Sequence, residues 1–139
     1  MKLLRPDERA FSIFAIDYKR LYRDGKRALL FDLDNTLGGR RPRRLEPEVY
    51  ALLEDLATLG FRVGILSNRR WGTGDPVIVE LGRKYPLRVR AGKPRKGGFK
   101  EILSQLEIPY ERAVMIGDRL FTDVFGANRL GIYSIRIHR

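Results

Sequence analysis

Residues 28–37 read Ala-Leu-Leu-Phe-Asp-Leu-Asp-Asn-Thr-Leu, an apolar run that takes up two carboxylates and then ends in turn-forming residues. An apolar run without alternation, here 28–33, fits a strand covered on both faces, and such strands belong to parallel sheets. Outward from it, Val49, Leu52, Leu53, Leu56 and Leu59 recur at helical spacing, predicting a helix over 47–59 that Gly60 stops. Residues 61–66 form a second buried run, ending at Ser67-Asn68, and a shorter helix is expected over 75–84. Residues 87–91 alternate apolar with charged side chains, as a strand wet on one face does. A helix over 97–106, a buried strand over 113–116, a helix over 119–130 closed by Gly131 and an alternating strand over 132–137 complete the chain. Strands separated by helices of about ten residues imply an α/β fold: a three-layer, Rossmann-like arrangement around a parallel sheet of about five strands. The clean apolar strands should be central, with 87–91 and 132–137 at the edges.

The 139 residues suit one domain spanning 1–139, and a hydrophobic content of 43% can build its core. The chain has no cysteine, which excludes a disulfide scaffold, a thiol nucleophile and cysteine-ligated zinc, and fits a reducing compartment. Its single histidine, His138, sits one residue from the C-terminus, so histidine-based triads and histidine-rich metal sites are excluded too. No stretch of about 18 apolar residues occurs, so no segment is expected to span a membrane. The N-terminus turns charged before an apolar signal region could form, which points to the cytoplasm. Lys and Arg number 28 against 17 Asp and Glu, a net charge of +11. Such a surface draws anions: phosphorylated substrates, anionic lipid or nucleic acid.

Ligands of open parallel sheets bind beyond the carboxyl ends of the strands. The unusual residues gather there: Asp32-Leu33-Asp34-Asn35-Thr36, Ser67-Asn68, Gly92-Lys93-Pro94, and Gly117-Asp118 with Asp123. Taken singly, each has a plainer reading as a turn residue, a helix cap or a solvated loop side chain. Asp32 resists it, because an unpaired carboxylate within an apolar run is costly to bury. Asp32 and Asp34 can face one side if the strand continues to 34. Converging carboxylates repel one another unless a cation sits among them, and Mg²⁺ prefers oxygen ligands while keeping room for a substrate phosphate. A lysine and a hydroxyl nearby supply what the remaining phosphoryl oxygens require. The outline is a magnesium-dependent phosphoryl site.

The sequence Phe-Asp-Leu-Asp-Asn-Thr-Leu at 31–37 resembles the DxDx[T/V] signature of the haloacid dehalogenase-like hydrolases, whose nucleophile is an aspartate. Ser67-Asn68, Lys93-Pro94 and Gly117-Asp118 with Asp123 are similar to that family's second, third and fourth motifs in the same order. Residues 4–37 look like the start of the YqeG branch of subfamily IIIA, which is similar to the mitochondrial phosphatidylglycerophosphate phosphatases. Arg69-Arg70-Trp71-Gly72 departs from the polar residues expected after the second motif.

The resemblance implies that Asp32 attacks phosphorus and Asp34 serves as general acid and base. It implies Mg²⁺ held by Asp32, the main-chain carbonyl of Asp34, Asp118 and Asp123. Ser67, the Asn68 main chain and Lys93 would hold the phosphoryl group, with Thr36 steadying the loop. Lys96 rivals Lys93. Too few residues separate Asp32 from Ser67, or Ser67 from Lys93, to hold a cap domain, so the site should be open to a large or surface-embedded substrate. Arg40, Arg41, Arg43, Arg44, Arg69 and Arg70 are candidates for an anion-collecting rim that rests on anionic lipid at the inner face of a membrane. Three readings stand beside a phosphatase of phosphatidylglycerophosphate. One is a phosphatase of a soluble sugar phosphate or nucleotide. Another is a basic RNA- or ribosome-associated protein with a secondary site, for which no RNA module or stacking platform is evident. The last, a phosphoacceptor signalling domain, is disfavoured because both carboxylates of the first motif lie on one strand.

Overall fold

A computed structural model describes residues 2–138. Six strands alternate with five α-helices: β1 (Glu8–Ala10), α1 (Tyr18–Arg23), β2 (Ala28–Phe31), α2 (Pro47–Leu59), β3 (Arg62–Leu66), α3 (Pro76–Lys84), β4 (Leu87–Arg88), α4 (Lys96–Leu106), β5 (Ala113–Gly117), α5 (Phe125–Leu130) and β6 (Tyr133–Ile137). The strands form one sheet in the order β1-β6-β5-β2-β3-β4, and every pairing is parallel. All loops that follow a strand therefore leave the sheet from the same edge.

Alternation of Cβ directions explains why β2 is apolar throughout. Leu29 and Phe31 pack with Ile65, Val114 and Ile116 against Leu53, Leu56, Val77 and Leu81 of α2 and α3. Ala28 and Leu30 face the other layer, where Met115 and Ala113 meet Phe99, Ile102 and Leu103 of α4 and Ala127 of α5. The helices thus cover both faces, and the sheet is the middle of three layers.

Four expectations are corrected. The sheet has six strands: residues 132–137 were expected at an edge, but β1 lies outside β6. Three residues with no apolar alternation give β1 no hydrophobic signature; hydrogen bonds hold it instead. Ser134 N–H donates to Asp7 Oδ2 at 2.9 Å, Asp7 N–H to Ser134 Oγ at 3.1 Å and His138 N–H to Ala10 O at 3.0 Å. The expected strand over 87–91 shortens to Leu87–Arg88, because the chain turns at Arg90 and Gly92, both at positive φ. The helix expected over 119–130 begins as a wide turn, Leu120–Val124, and becomes α-helical only at Phe125. The strand expected over 28–33 ends at Phe31, and Leu33–Leu37 forms another wide turn with Asn35 in the left-handed region at φ 60°. Asparagine tolerates that conformation better than most residues.

Candidate active site

Four of the strand-following loops converge on Lys93. Asp32 leaves β2 in extended conformation, its N–H donating to Ile116 O at 2.9 Å, and stays buried. Its Oδ1 lies 3.0 Å from Lys93 Nζ, which also donates to Leu66 O at 2.7 Å and stands 2.7 Å from Asp123 Oδ1. Lys93 is held from behind by Asn68, whose Oδ1 accepts from Lys93 N–H at 2.8 Å while its Nδ2 donates to Lys93 O at 2.9 Å. The buried ammonium is thus fixed at both ends of its side chain. Of the two candidate lysines, Lys93 reaches the carboxylates, whereas Lys96 is exposed at the first turn of α4.

Asp118 and Asp123 complete an acidic group with Asp32: one carboxylate oxygen from each lies within 4.8 Å of the others. Asp123 Oδ2 accepts from Arg119 N–H at 3.2 Å across the wide turn, and Asp123 presses against Gly117. A Cβ at position 117 would stand 2.1 Å from Asp123 Oδ2, so only glycine leaves that carboxylate its place. Asp118 Oδ1 is shielded from solvent and has no hydrogen-bond partner among the described residues.

Three carboxylates against one ammonium leave a formal charge of −2 when all are ionised. The electrostatics register that crowding. Burial, opposed by Lys93 and reinforced by Asp123, pushes the Asp32 carboxyl up to about 7. Burial and Asp123 likewise raise Asp118 above the ordinary carboxylate range. Burial lowers Lys93, yet Asp123 and Asp32 outweigh it and hold the ammonium above the usual lysine value. A shielded oxygen without a partner, hard oxygen donors and excess negative charge fit a divalent cation among Asp32, Asp118 and Asp123.

Asp34 points elsewhere. Although Asp32 and Asp34 are both extended, Asp34 Oδ1 accepts from Arg69 Nη2 at 2.8 Å. Arg69, expected at the rim, has a side chain only 5% exposed. Its Nη2 also donates to Pro42 O at 3.1 Å, and Nη1 is 3.6 Å from Asp75 Oδ2. One buried guanidinium therefore joins the first motif to the loop before α2 and to the start of α3. Sequence reasoning missed this role. The available signal was that position 69 continues the two-residue alternation of β3 through Ser67. Ser67 is fully buried; its Oγ accepts from Arg69 N–H at 3.0 Å and retains its own proton to donate. Thr36 is buried behind the loop, and its Oγ1 has no partner among the described residues. Arg70, Trp71, Arg90 and Arg95 surround Lys93 and Asn68 in an open depression of about 640 Å³.

Comparison with known proteins agrees with this geometry: the haloacid dehalogenase-like hydrolase family matches residues 13–131. The chain belongs to that family. It is an enzyme of the family's phosphatase class, and relatives that span almost all of it are phosphatases by name. The probable phosphatase YqeG of Bacillus subtilis is 32% identical over 136 residues, which are 98% of this chain and 78% of that protein. The chloroplastic phosphatidylglycerophosphate phosphatase 1 of Chlamydomonas reinhardtii is 30% identical over 97% of the chain, which spans only 53% of that longer protein. An uncharacterized protein from Listeria monocytogenes serotype 4b has a crystal structure that superimposes with a TM-score of 0.63 at 25% identity, covering 81% of this chain and 79% of the other. No cap domain is evident among the described residues: between β2 and α2 the chain carries only a loop.

Proposed function

We propose that the protein is a single-domain, magnesium-dependent phosphomonoester hydrolase that works through an aspartyl-phosphate on Asp32. The observation that carries this reading is the Asp32–Lys93 contact at 3.0 Å beside Asp118 and Asp123, at the carboxyl ends of adjoining strands. Asp32 attacks phosphorus in line, forming an O–P bond as the bond to the leaving alcohol oxygen breaks. Asp34 gives its proton to that oxygen, then takes one from the water whose attack on phosphorus releases Asp32. Arg69 holds Asp34 at 2.8 Å and keeps it from swinging into the acidic group. Ser67, the Asn68 main chain and Lys93 receive the phosphoryl oxygens, and Thr36 steadies the loop beneath them. Asp32, the Asp34 carbonyl, Asp118 and Asp123 would hold Mg²⁺, which would supply the positive charge that an anionic ester needs beside an anionic nucleophile.

For the substrate, phosphatidylglycerophosphate is favoured. The phosphatases of that lipid from Chlamydomonas reinhardtii and Arabidopsis thaliana are similar to 97% and 86% of this chain. The open basic depression also suits a headgroup presented by a surface. The second reading, a small soluble ester, draws on the glyceraldehyde 3-phosphate phosphatase of Methanopyrus kandleri, 30% identical over 67% of the chain. A cysteine-free chain fits the cytoplasm. The deciding measurement is phosphate release, with and without magnesium, from phosphatidylglycerophosphate in micelles, from glyceraldehyde 3-phosphate and from an aryl phosphate. The lipid should be turned over fastest, and only with the metal. Faster turnover of the soluble ester would reverse the choice, and no turnover of any would end the reading.

A further inference from the structure

Exposed aromatic rings are unevenly placed on this molecule. Phe11, Trp71 and Phe121 are 73%, 77% and 68% exposed, and Phe14 is 53% exposed. Among the described residues no other Phe, Trp or Tyr side chain is exposed. Each of the four lies in a segment that follows a strand: Phe11 and Phe14 after β1, Trp71 after β3 and Phe121 after β5. With every strand parallel, all four belong to the carboxyl edge, the edge that carries the acidic group and Lys93. Strands β1 and β3 are four places apart in the sheet, so these rings spread over roughly 20 Å of rim.

Arginine is plentiful on the same edge. Arg40, Arg41, Arg70, Arg90, Arg95 and Arg119 are exposed in loops of this edge, and none makes an ion pair among the described residues. The exposed acids of this edge, Asp17, Glu46 and Glu48, stand at the starts of α1 and α2 and are outnumbered by these arginines. Solvated loops have no need of large apolar rings, and rings in separate loops over such a span make no continuous groove for a single nucleic-acid strand. Aromatic side chains interleaved with arginine around a plane are the composition that settles at a lipid headgroup layer.

We infer that the carboxyl edge is a docking face for an anionic bilayer, with Phe11, Trp71 and Phe121 entering the headgroup region and the arginines meeting lipid phosphates. The inference rests on the phosphatase reading for what docking accomplishes: it sets the mouth above Lys93 against phosphate groups that need not leave the bilayer. Binding itself is independent of turnover.

Trp71 is the chain's sole tryptophan, so its emission reports on this face alone. The full chain is titrated with phosphatidylcholine vesicles, with and without phosphatidylglycerol. Emission should shift to the blue and the protein should float with the anionic vesicles only, and added salt should reverse both. Phe11→Ser with Phe121→Ser should weaken vesicle binding about tenfold or more, while hydrolysis of a soluble aryl phosphate stays at the parent level. An unshifted emission with anionic vesicles, parent-like binding by the double variant, or a shift given by an RNA oligonucleotide and not by vesicles would each overturn the inference. Vesicle binding without turnover of any phosphate ester would leave docking standing and remove the phosphatase reading. Aryl phosphate turnover without vesicle binding would do the reverse.

Discussion

Asp32 sits where a carboxylate is hardest to keep ionised, and the consequence can be measured. Burial raises it from 3.8 to about 7. Between those values the folded chain binds the proton that the unfolded chain has lost, so Asp32 subtracts from stability as pH rises through the window. Without metal, the Tm of Asp32→Asn relative to the parent should therefore climb between about pH 4 and pH 7, while phosphatase turnover falls at least about a thousandfold. Calorimetry of the parent should find Mg²⁺ binding that tightens as pH approaches 7 and releases a proton. Arg69 is the other residue to test. Arg69→Ala should cost about 2–3 kcal/mol of stability in a denaturant titration, short of the full cost of orphaning a buried charge because Asp34 and Asp75 are partly solvated. It should lower kcat more than it raises KM, since Asp34 loses its anchor. Arg69→Lys keeps the charge without the planar fork and should recover stability better than kcat.

At the scale of elements, the sequence made legible whatever depends on burial. Strands β2 and β5 are apolar throughout, as two-sided packing requires, helix α2 is apolar along the one face it buries, and all three lie close to where those patterns put them. What depends on hydrogen bonds was not legible. Strand β1 is joined to the sheet through Asp7 and Ser134, and α1 begins at Asp17, whose side chain accepts from Arg20 N–H at 3.1 Å. Neither has apolar periodicity enough to stand out. Asp32, Lys93, Asp118 and Asp123 could be grouped from the sequence because each follows a strand of one sheet. Arg69 could be reached only by carrying the two-residue alternation of β3 on past Ser67, since its charge alone does not separate an arginine that turns inward from one that stays in water. The wide turn after β5 is the element most exposed to a small change. Gly117→Ala places a methyl where Asp123 now lies, so magnesium affinity should fall at least about tenfold with the fold retained, as read by calorimetry and circular dichroism.

Taken whole, the molecule is polarised along its strands. One edge gathers the acidic group, the buried lysine, the unpaired arginines and the exposed rings; the other carries the C-terminal ends of the helices, with exposed charges of both signs. The net charge of +11 points to an anionic partner but says nothing of this distribution, which needs the common direction of six strands. The sheet's two margins also differ: β4 is only two residues long, whereas β6 has five, and β1 shields it. Deleting residues 1–10 would strip that cover and leave a bare ladder of amides and carbonyls, a surface to which another copy of the chain could add itself. The shortened protein should run as a dimer or larger in size-exclusion chromatography beside the full-length chain. The first ten residues, far from the chemistry in sequence, would then serve as a guard against self-association.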